Sequence, residues 1–208
     1  MATGREIWTF YQGTWHQGNY PIMGAADHGA WLGTMVFDGA RAFDGVTPDL
    51  DLHSARTVAS ARKMGMNPPL SAEEIHALAL EGVSKFPAGS GLYIRPMMWS
   101  TEGTASYVLA DPDSTAFALC LEARPMPEPN GFTVTTTPFS RPMHSMAPTD
   151  AKAACLYPNN ARMLREANRK GFDNAISLDP LGNVAETATS NIWMVKDGVA
   201  FTPIANGT

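Results

Sequence analysis

Residues 122–131 read "EARPMPEPNG". Proline has no backbone N–H to give a sheet or a helix interior, so three of them at alternate positions, closed by a glycine, exclude a continuous element here. The stretch has few apolar residues and reads as a linker that divides the chain. The expected organisation is a small α+β domain over 1–125, a linker over 126–131, and a second domain opening at 132 and running to 208. A length of 208 residues suits that division, because one domain usually takes about 100–150.

The same grammar of elements appears on each side. "EIWTFYQGTWHQ" predicts two short strands around Gln12-Gly13, its aromatic residues suiting a pleated surface. "TMVFDGARAF" (34–43) predicts one strand, and a period of two sends Phe37, Gly39 and Arg41 to one face, an odd trio for a core. Leu52, Ala55 and Ala59 at helical spacing predict a helix from Leu50 to Met66 with that stripe inward, closed by "MGMNPP". A second helix begins at Ser71, where Ser71 and Glu74 form a capping box ahead of Ile75, Leu78, Ala79 and Gly82. "SGLYIRPMMWS" and "STAFALCLEA" read as strands, the first placing Tyr93, Arg95, Met97 and Trp99 on one face. Beyond the linker come a strand "FTVTTTPF", a loop, and a helix through "ARMLREANRK" with an asparagine cap in "PNN" and a stop at Gly171. Strands around "AISLD" and Glu186 follow, then a hairpin turning at Lys196-Asp197-Gly198.

Composition narrows the function classes. Hydrophobic residues make up 44% and charged residues 17%, and no apolar run reaches the ~18 residues that would span a membrane. The opening "MATGREIWTFYQGTW" has no basic region followed by an apolar core, so no secretion signal is expected. Cys120 and Cys155 have neither metal-site spacing nor disulfide-scaffold density, which points to reduced thiols, a cytoplasmic setting and no metal. A net charge of −5 without a basic cluster disfavours a nucleic-acid surface. Small molecules and further copies of the chain are the expected partners.

Three residues are candidates for chemistry. Lys152 stands alone in "TDAKAAC", with no other basic residue from 145 to 160. Lysine becomes a nucleophile where its surroundings disfavour the ammonium, and small neutral neighbours could desolvate it, although a solvated loop lysine is the alternative. Glu186 in "NVAETATS" is either an exposed strand residue or a carboxylate buried against a cation. Arg56 on the first long helix either snorkels beside the apolar stripe or forms an anion clamp, for which a guanidinium is well suited.

With these residues in view, the chain resembles the fold-type IV, pyridoxal-phosphate-dependent aminotransferases, and within them the branched-chain amino acid aminotransferases. The carriers are "VFDGARAF" (36–43), "LHSARTVASARKMG" (52–65), "LYIRPMMW" (92–99), "APTDAKAACLYPNNARMLREANRKGFDNAI" (147–176) and "LDPLGNVAETATSNIWMVKDGVAFTP" (178–203). The resemblance implies a two-domain fold like that of the D-amino acid aminotransferases, the second domain being the N-terminal part of the large cofactor-binding domain. It implies pyridoxal phosphate as cofactor, with Lys152 bonding to its aldehyde and shuttling the substrate α-proton. Glu186 would pair with the pyridine nitrogen, Arg56 would grip the phosphate, and Tyr157 would lie near the ring oxygen. The small residues Ala151, Ala153 and Ala154 would leave room for a flat cofactor.

For substrate, Phe37, Gly39, Arg41, Tyr93 and Arg95 match the positions that line the branched-chain pocket, with Gly39 leaving a slot between large residues. The implied reaction is transamination of branched-chain L-amino acids with 2-oxoglutarate, an activity of amino-acid biosynthesis. The aminodeoxychorismate lyases and the D-amino acid or (R)-amine transaminases share the lysine and the glutamate and remain alternatives. Leu32 stands where the branched-chain enzymes usually carry a tyrosine, and loss of a hydrogen-bonding hydroxyl alters what such a site discriminates. Family members continue beyond "FTPIANGT", so a large domain shortened at its end, and with it a fragment or a silent paralogue, is also an expectation. The family's pocket is completed by a neighbouring subunit, which implies a homodimer or a larger homo-oligomer.

Overall fold

Aromatic and apolar side chains on a period of two build the first strands. The computed structural model describes residues 6–208. Met1–Arg5, part of the stretch read above for a secretion signal, lie outside the described residues. The chain forms two units, the first running to Pro127 and taking back Ala151–Ala154, the second comprising Glu128–Asp150 and Cys155–Thr208.

In the first unit β1 (Ile7–Tyr11) and β2 (Thr14–Gln17) pair through a turn in which Gln12 and Gly13 take φ of 49° and 77°, the conformation of a tight hairpin. A single turn of helix, α1 (His28–Trp31), precedes the segment predicted as one strand over 34–43. That strand is broken into β3 (Met35–Phe37) and β4 (Ala40–Ala42) because the Asp38 carboxylate turns back to accept the Gly39 N–H at 2.7 Å. The alternation survives the break. Val36, Asp38, Ala40 and Ala42 are buried while Phe37, Gly39 and Arg41 are half-exposed.

The helix predicted from Leu50 to Met66 is α2 (Leu50–Lys63), stopped by Gly65 at φ 78°. Its expected inward stripe is corrected. Leu52 is 63% exposed and Ala55 and Ala59 face outward, whereas Leu50, Ser54, Thr57, Val58 and Ala61 are buried. Small hydroxyls are tolerated inward because they bond to their own helix: Ser54 Oγ donates to the Leu50 carbonyl and Thr57 Oγ1 to the His53 carbonyl. α3 (Ala72–Val83) starts with both reciprocal bonds of the Ser71–Glu74 capping box and buries Ile75, Ala79 and Gly82.

β5 (Leu92–Ser100) and β6 (Thr115–Ala123) complete an antiparallel sheet of order β2-β1-β6-β5-β3, with β4 also paired to β5. Leu92, Ile94, Met98, Leu119 and Leu121 are buried in one cluster with residues of α2 and α3. Removing such side chains from water contributes about 1.5–3 kcal/mol each. On the opposite face Met97, Trp99, Ala118 and Cys120 form a second cluster. The registers Phe37↔Met97 and Arg41↔Tyr93 put the odd trio on that side of the sheet.

In the second unit β7 (Val134–Ser140) runs parallel to β8 (Asn174–Leu178), which requires a long crossover. α4 (Tyr157–Arg169) supplies its helical part, burying Met163 and Ala167 against Ala175 and Ala188. The asparagine cap is corrected: Asn159 and Asn160 lie inside the first turn, with Pro158 beside them, and their amides donate to the Ser140 and Ala188 carbonyls instead. Gly171, at φ 82°, follows the helix as expected. β9 (Val184–Thr187) adds to β8 antiparallel, and β10 (Met194–Lys196) and β11 (Val199–Phe201) form the expected hairpin, with Asp197 and Gly198 at φ 52° and 75°. No helix among the described residues is long and apolar enough to cross a membrane.

Candidate active site

Lys152 is held by its backbone. Its N–H donates to Ser60 Oγ at 3.0 Å and its carbonyl accepts from Phe37 N at 3.2 Å, while Ala153 forms an isolated bridge with Val36. These bonds attach residues 151–154 to β3 and α2, with the half-buried Lys152 amine 5.6 Å from the centre of the Phe37 ring. Ala151 and Ala153 are buried. Their small size lets residues 151–154 lie close against β3 and α2.

Arg56 neither snorkels nor stands alone. Its Nε and Nη2 bind the two oxygens of Asp38 at 2.6 and 2.7 Å, a bidentate pair, and the Arg56 side chain as a whole stays 53% exposed. Asp38 itself is wholly buried and also binds His53 Nδ1 at 2.8 Å. Burial alone would raise the Asp38 carboxyl, but the Arg56 hydrogen bond and charge, with the Gly39 and His53 bonds, bring it below the ordinary carboxylate value.

The five substrate-pocket candidates share the first unit. Tyr93 lies over Gly39: a Cβ on Gly39 would come within 2.3 Å of Tyr93 Oη and 2.9 Å of two ring carbons. The slot expected beside this glycine is thus filled by the tyrosine ring. Three guanidiniums gather there. Arg95 and Arg124 stand 5.0 and 5.9 Å from the Tyr93 ring centre, and Arg41 Nη2 donates to the Arg124 carbonyl at 2.6 Å. Arg95 also reaches Glu122 at 3.4 Å. Arg41 Nε is buried without a hydrogen-bond partner, and burial followed by the Arg124 charge draws the Arg41 guanidinium below its ordinary value. This is an aromatic wall carrying an excess of cations, suited to an anionic group joined to an apolar one.

In the second unit Glu186 lies on β9 and pairs with Arg141 Nη1. It is the buried-against-a-cation reading of this residue that the structure follows, for Arg141 is 12% and Glu186 25% exposed. Both line a cleft of 150 Å³ with Pro203, Ile204 and Asn206. Arg141 Nε is buried there without a hydrogen-bond partner. Tyr157 is the exposed first residue of α4. Cys120 is buried and Cys155 exposed, both as free thiols, and burial pushes the Cys120 thiol up. No cluster of metal-binding side chains occurs among the described residues.

Asp38, His53, Arg124 and Arg141 were not singled out from the sequence. Asp38 and His53 do fall within the stretches that carry the family resemblance, so a charge inside "VFDGARAF" was the available signal.

The profile of the family described as amino-transferase class IV matches residues 35–208. An aminotransferase from Brucella abortus, crystallised with its co-factor PLP, is similar at 61% identity and a TM-score of 0.96, covering 98% of this chain and 73% of that one. The branched-chain aminotransferase of Thermoproteus uzoniensis, solved with norvaline, is similar at 27% identity and a TM-score of 0.83, covering 95% and 68%. The branched-chain-amino-acid aminotransferase of Pseudomonas aeruginosa is 34% identical over 190 residues, 85% of this chain and 60% of its own length. The chain belongs to the class IV aminotransferases and has their α+β, fold-type IV architecture. It spans about 60% of the length of the curated relatives it matches.

Proposed function

We propose that the chain carries the catalytic residues of a pyridoxal-phosphate-dependent aminotransferase for branched-chain L-amino acids, with 2-oxoglutarate as the amino acceptor. The observation that carries this reading is Lys152, whose two backbone groups are bonded to Ser60 and Phe37. The donor set suits the cofactor: a half-exposed guanidinium at Arg56 for the phosphate, a carboxylate at Glu186 for the pyridine nitrogen, and the Tyr157 hydroxyl for the ring oxygen. When bound, pyridoxal phosphate supplies the electron sink for charge developing at the substrate α-carbon.

The chain's own groups would then divide the work. The Lys152 amine takes the α-proton and returns a proton on the other side of the exchange. Glu186 keeps a proton on the pyridine nitrogen, and Arg141 holds that carboxylate in place. Arg41, Arg95 and Tyr93 receive the substrate's carboxylate, while Phe37 offers an apolar wall. The names of the relatives from Thermoproteus uzoniensis and Pseudomonas aeruginosa support branched-chain substrates. Two free thiols support a reducing, cytoplasmic setting. The exposed Trp31 and Tyr107, which line one cleft of the first unit, and the exposed Val108 and Leu109 support a homodimer.

The test is Lys152→Ala in the 208-residue chain. We expect the borohydride-stable pyridoxal phosphate adduct to disappear from this position, and half-transamination of L-leucine to fall by ~1,000-fold with unchanged melting. Retained turnover overturns the assignment, and a preference for D-alanine or aminodeoxychorismate over L-leucine overturns the substrate.

A further inference from the structure

Asp38 is the third residue of "VFDGARAF", between Phe37 and Gly39, two residues proposed for the substrate pocket, yet the alternation turns it toward α2 and buries it completely. A buried carboxylate survives only where donors replace its lost water. Here four donors do so: Gly39 N at 2.7 Å, His53 Nδ1 at 2.8 Å, and Arg56 Nε and Nη2 at 2.6 and 2.7 Å. To donate, His53 Nδ1 carries its proton, so the same carboxylate orients both an imidazole and a guanidinium one helical turn apart on α2.

The fork geometry has a mechanical result. With Nε and Nη2 both engaged by one carboxylate, the plane of the Arg56 guanidinium is set before any ligand arrives, and a long side chain that would otherwise sample many rotamers is confined to one. We propose that Asp38 is a positioning residue for anion binding at Arg56, aiming that guanidinium at the cofactor's phosphate ester. The inference rests on the reading that Arg56 takes the phosphate, and it deepens that reading by naming what makes the arginine competent.

Charge and geometry oppose each other here, which makes the inference sharp. A negative charge beside Arg56 repels a phosphate, so removing it would tighten anion binding if charge alone mattered. If orientation matters more, removing it weakens binding. The experiment measures dissociation constants of pyridoxal phosphate and of pyridoxal, which lacks the phosphate, for the 208-residue wild type, Asp38→Asn, Arg56→Gln and the double variant. Inorganic phosphate serves as a competitor, and circular dichroism confirms folding. We expect Arg56→Gln and Asp38→Asn each to weaken pyridoxal phosphate by about tenfold while pyridoxal changes little, with the double variant no weaker than Arg56→Gln.

Equal or tighter pyridoxal phosphate binding by Asp38→Asn, beside a weakened Arg56→Gln, overturns the positioning role and leaves the phosphate reading intact. Equal weakening of both ligands by Asp38→Asn overturns it in favour of a general structural role. An Arg56→Gln variant with undiminished preference for pyridoxal phosphate over pyridoxal overturns the phosphate reading and the inference together. Should Asp38→Asn fail to fold, Asp38→Glu keeps the charge and displaces the guanidinium by one methylene; wild-type affinity in that variant overturns the inference.

Discussion

In the first unit a wholly buried carboxylate, Asp38, holds a half-exposed guanidinium; in the second a nearly buried guanidinium, Arg141, holds a partly exposed carboxylate. The more exposed member of each pair, Arg56 or Glu186, is the one proposed to meet the cofactor. Its partner has the opposite sign and lies deeper. The lesson is that each outer charge is oriented by a deeper counter-charge with little or no water to turn to instead. The cores around the two pairs differ as well. Asp38 lies between β3 and β4, whose Val36, Ala40 and Ala42 belong to the broad cluster that includes Ile75, Ile94 and Leu121, whereas the apolar cluster of the second unit is the smaller one of Met163, Ala167, Ala175 and Ala188.

This inversion predicts that deleting the exposed partner costs more stability than deleting the buried one, since it strands the deeper charge. Arg56→Met should lower the unfolding free energy by about 3 kcal/mol in urea titrations at neutral pH, against about 1 kcal/mol for Asp38→Asn. The reverse order would break the comparison for the first unit. Glu186→Leu should cost about 2 kcal/mol, less because Arg141 retains some solvent contact, and should exceed the cost of Arg141→Met. Ser71→Ala calibrates the scale away from either pair: loss of the α3 cap should remove about 1 kcal/mol.

The smallest expected effect is a pH limb. Because the folded Asp38 carboxyl lies below its unfolded value of about 3.9, the unfolded chain binds the proton first as pH falls. Its contribution is complete above that unfolded value and is lost as pH falls through the folded one. Wild-type and Asp38→Asn stability curves should therefore converge in acid and run parallel toward neutrality; a gap that keeps its size in acid would assign the cost to packing.

Local signals were read well from the sequence. The Ser71–Glu74 capping box, the Asp197-Gly198 turn and the Phe37/Gly39/Arg41 alternation each depend on residues a few positions apart, and each appears as expected. Signals that depend on tertiary partners were not read. Asp38 meets Arg56 across 18 positions and Arg141 meets Glu186 across 45, and no spacing rule announces either pair. The reversal of the α2 face has a similar cause: serine and threonine could turn inward because helix carbonyls satisfied them, which left Leu52 outside. The asparagine cap failed because Asn159 and Asn160 found carbonyls of β7 and the segment after β9. The candidate lysine and glutamate were visible mainly through motif resemblance, while their supports became visible only in three dimensions.

The four-residue stretch Ala151–Ala154 belongs to the first unit although the chain on both sides of it belongs to the second. For anyone recombining this protein with a relative, Lys152 is thus inherited from one parental segment and registered by another. A chimaera that crosses over anywhere between Ser60 and Ala151 separates Lys152 from Val36, Phe37 and Ser60, the residues that set its height on the sheet. Mismatched parents at those three positions would leave the amine intact in sequence and misplaced in space. Viable crossovers should keep the two segments together as one inherited block.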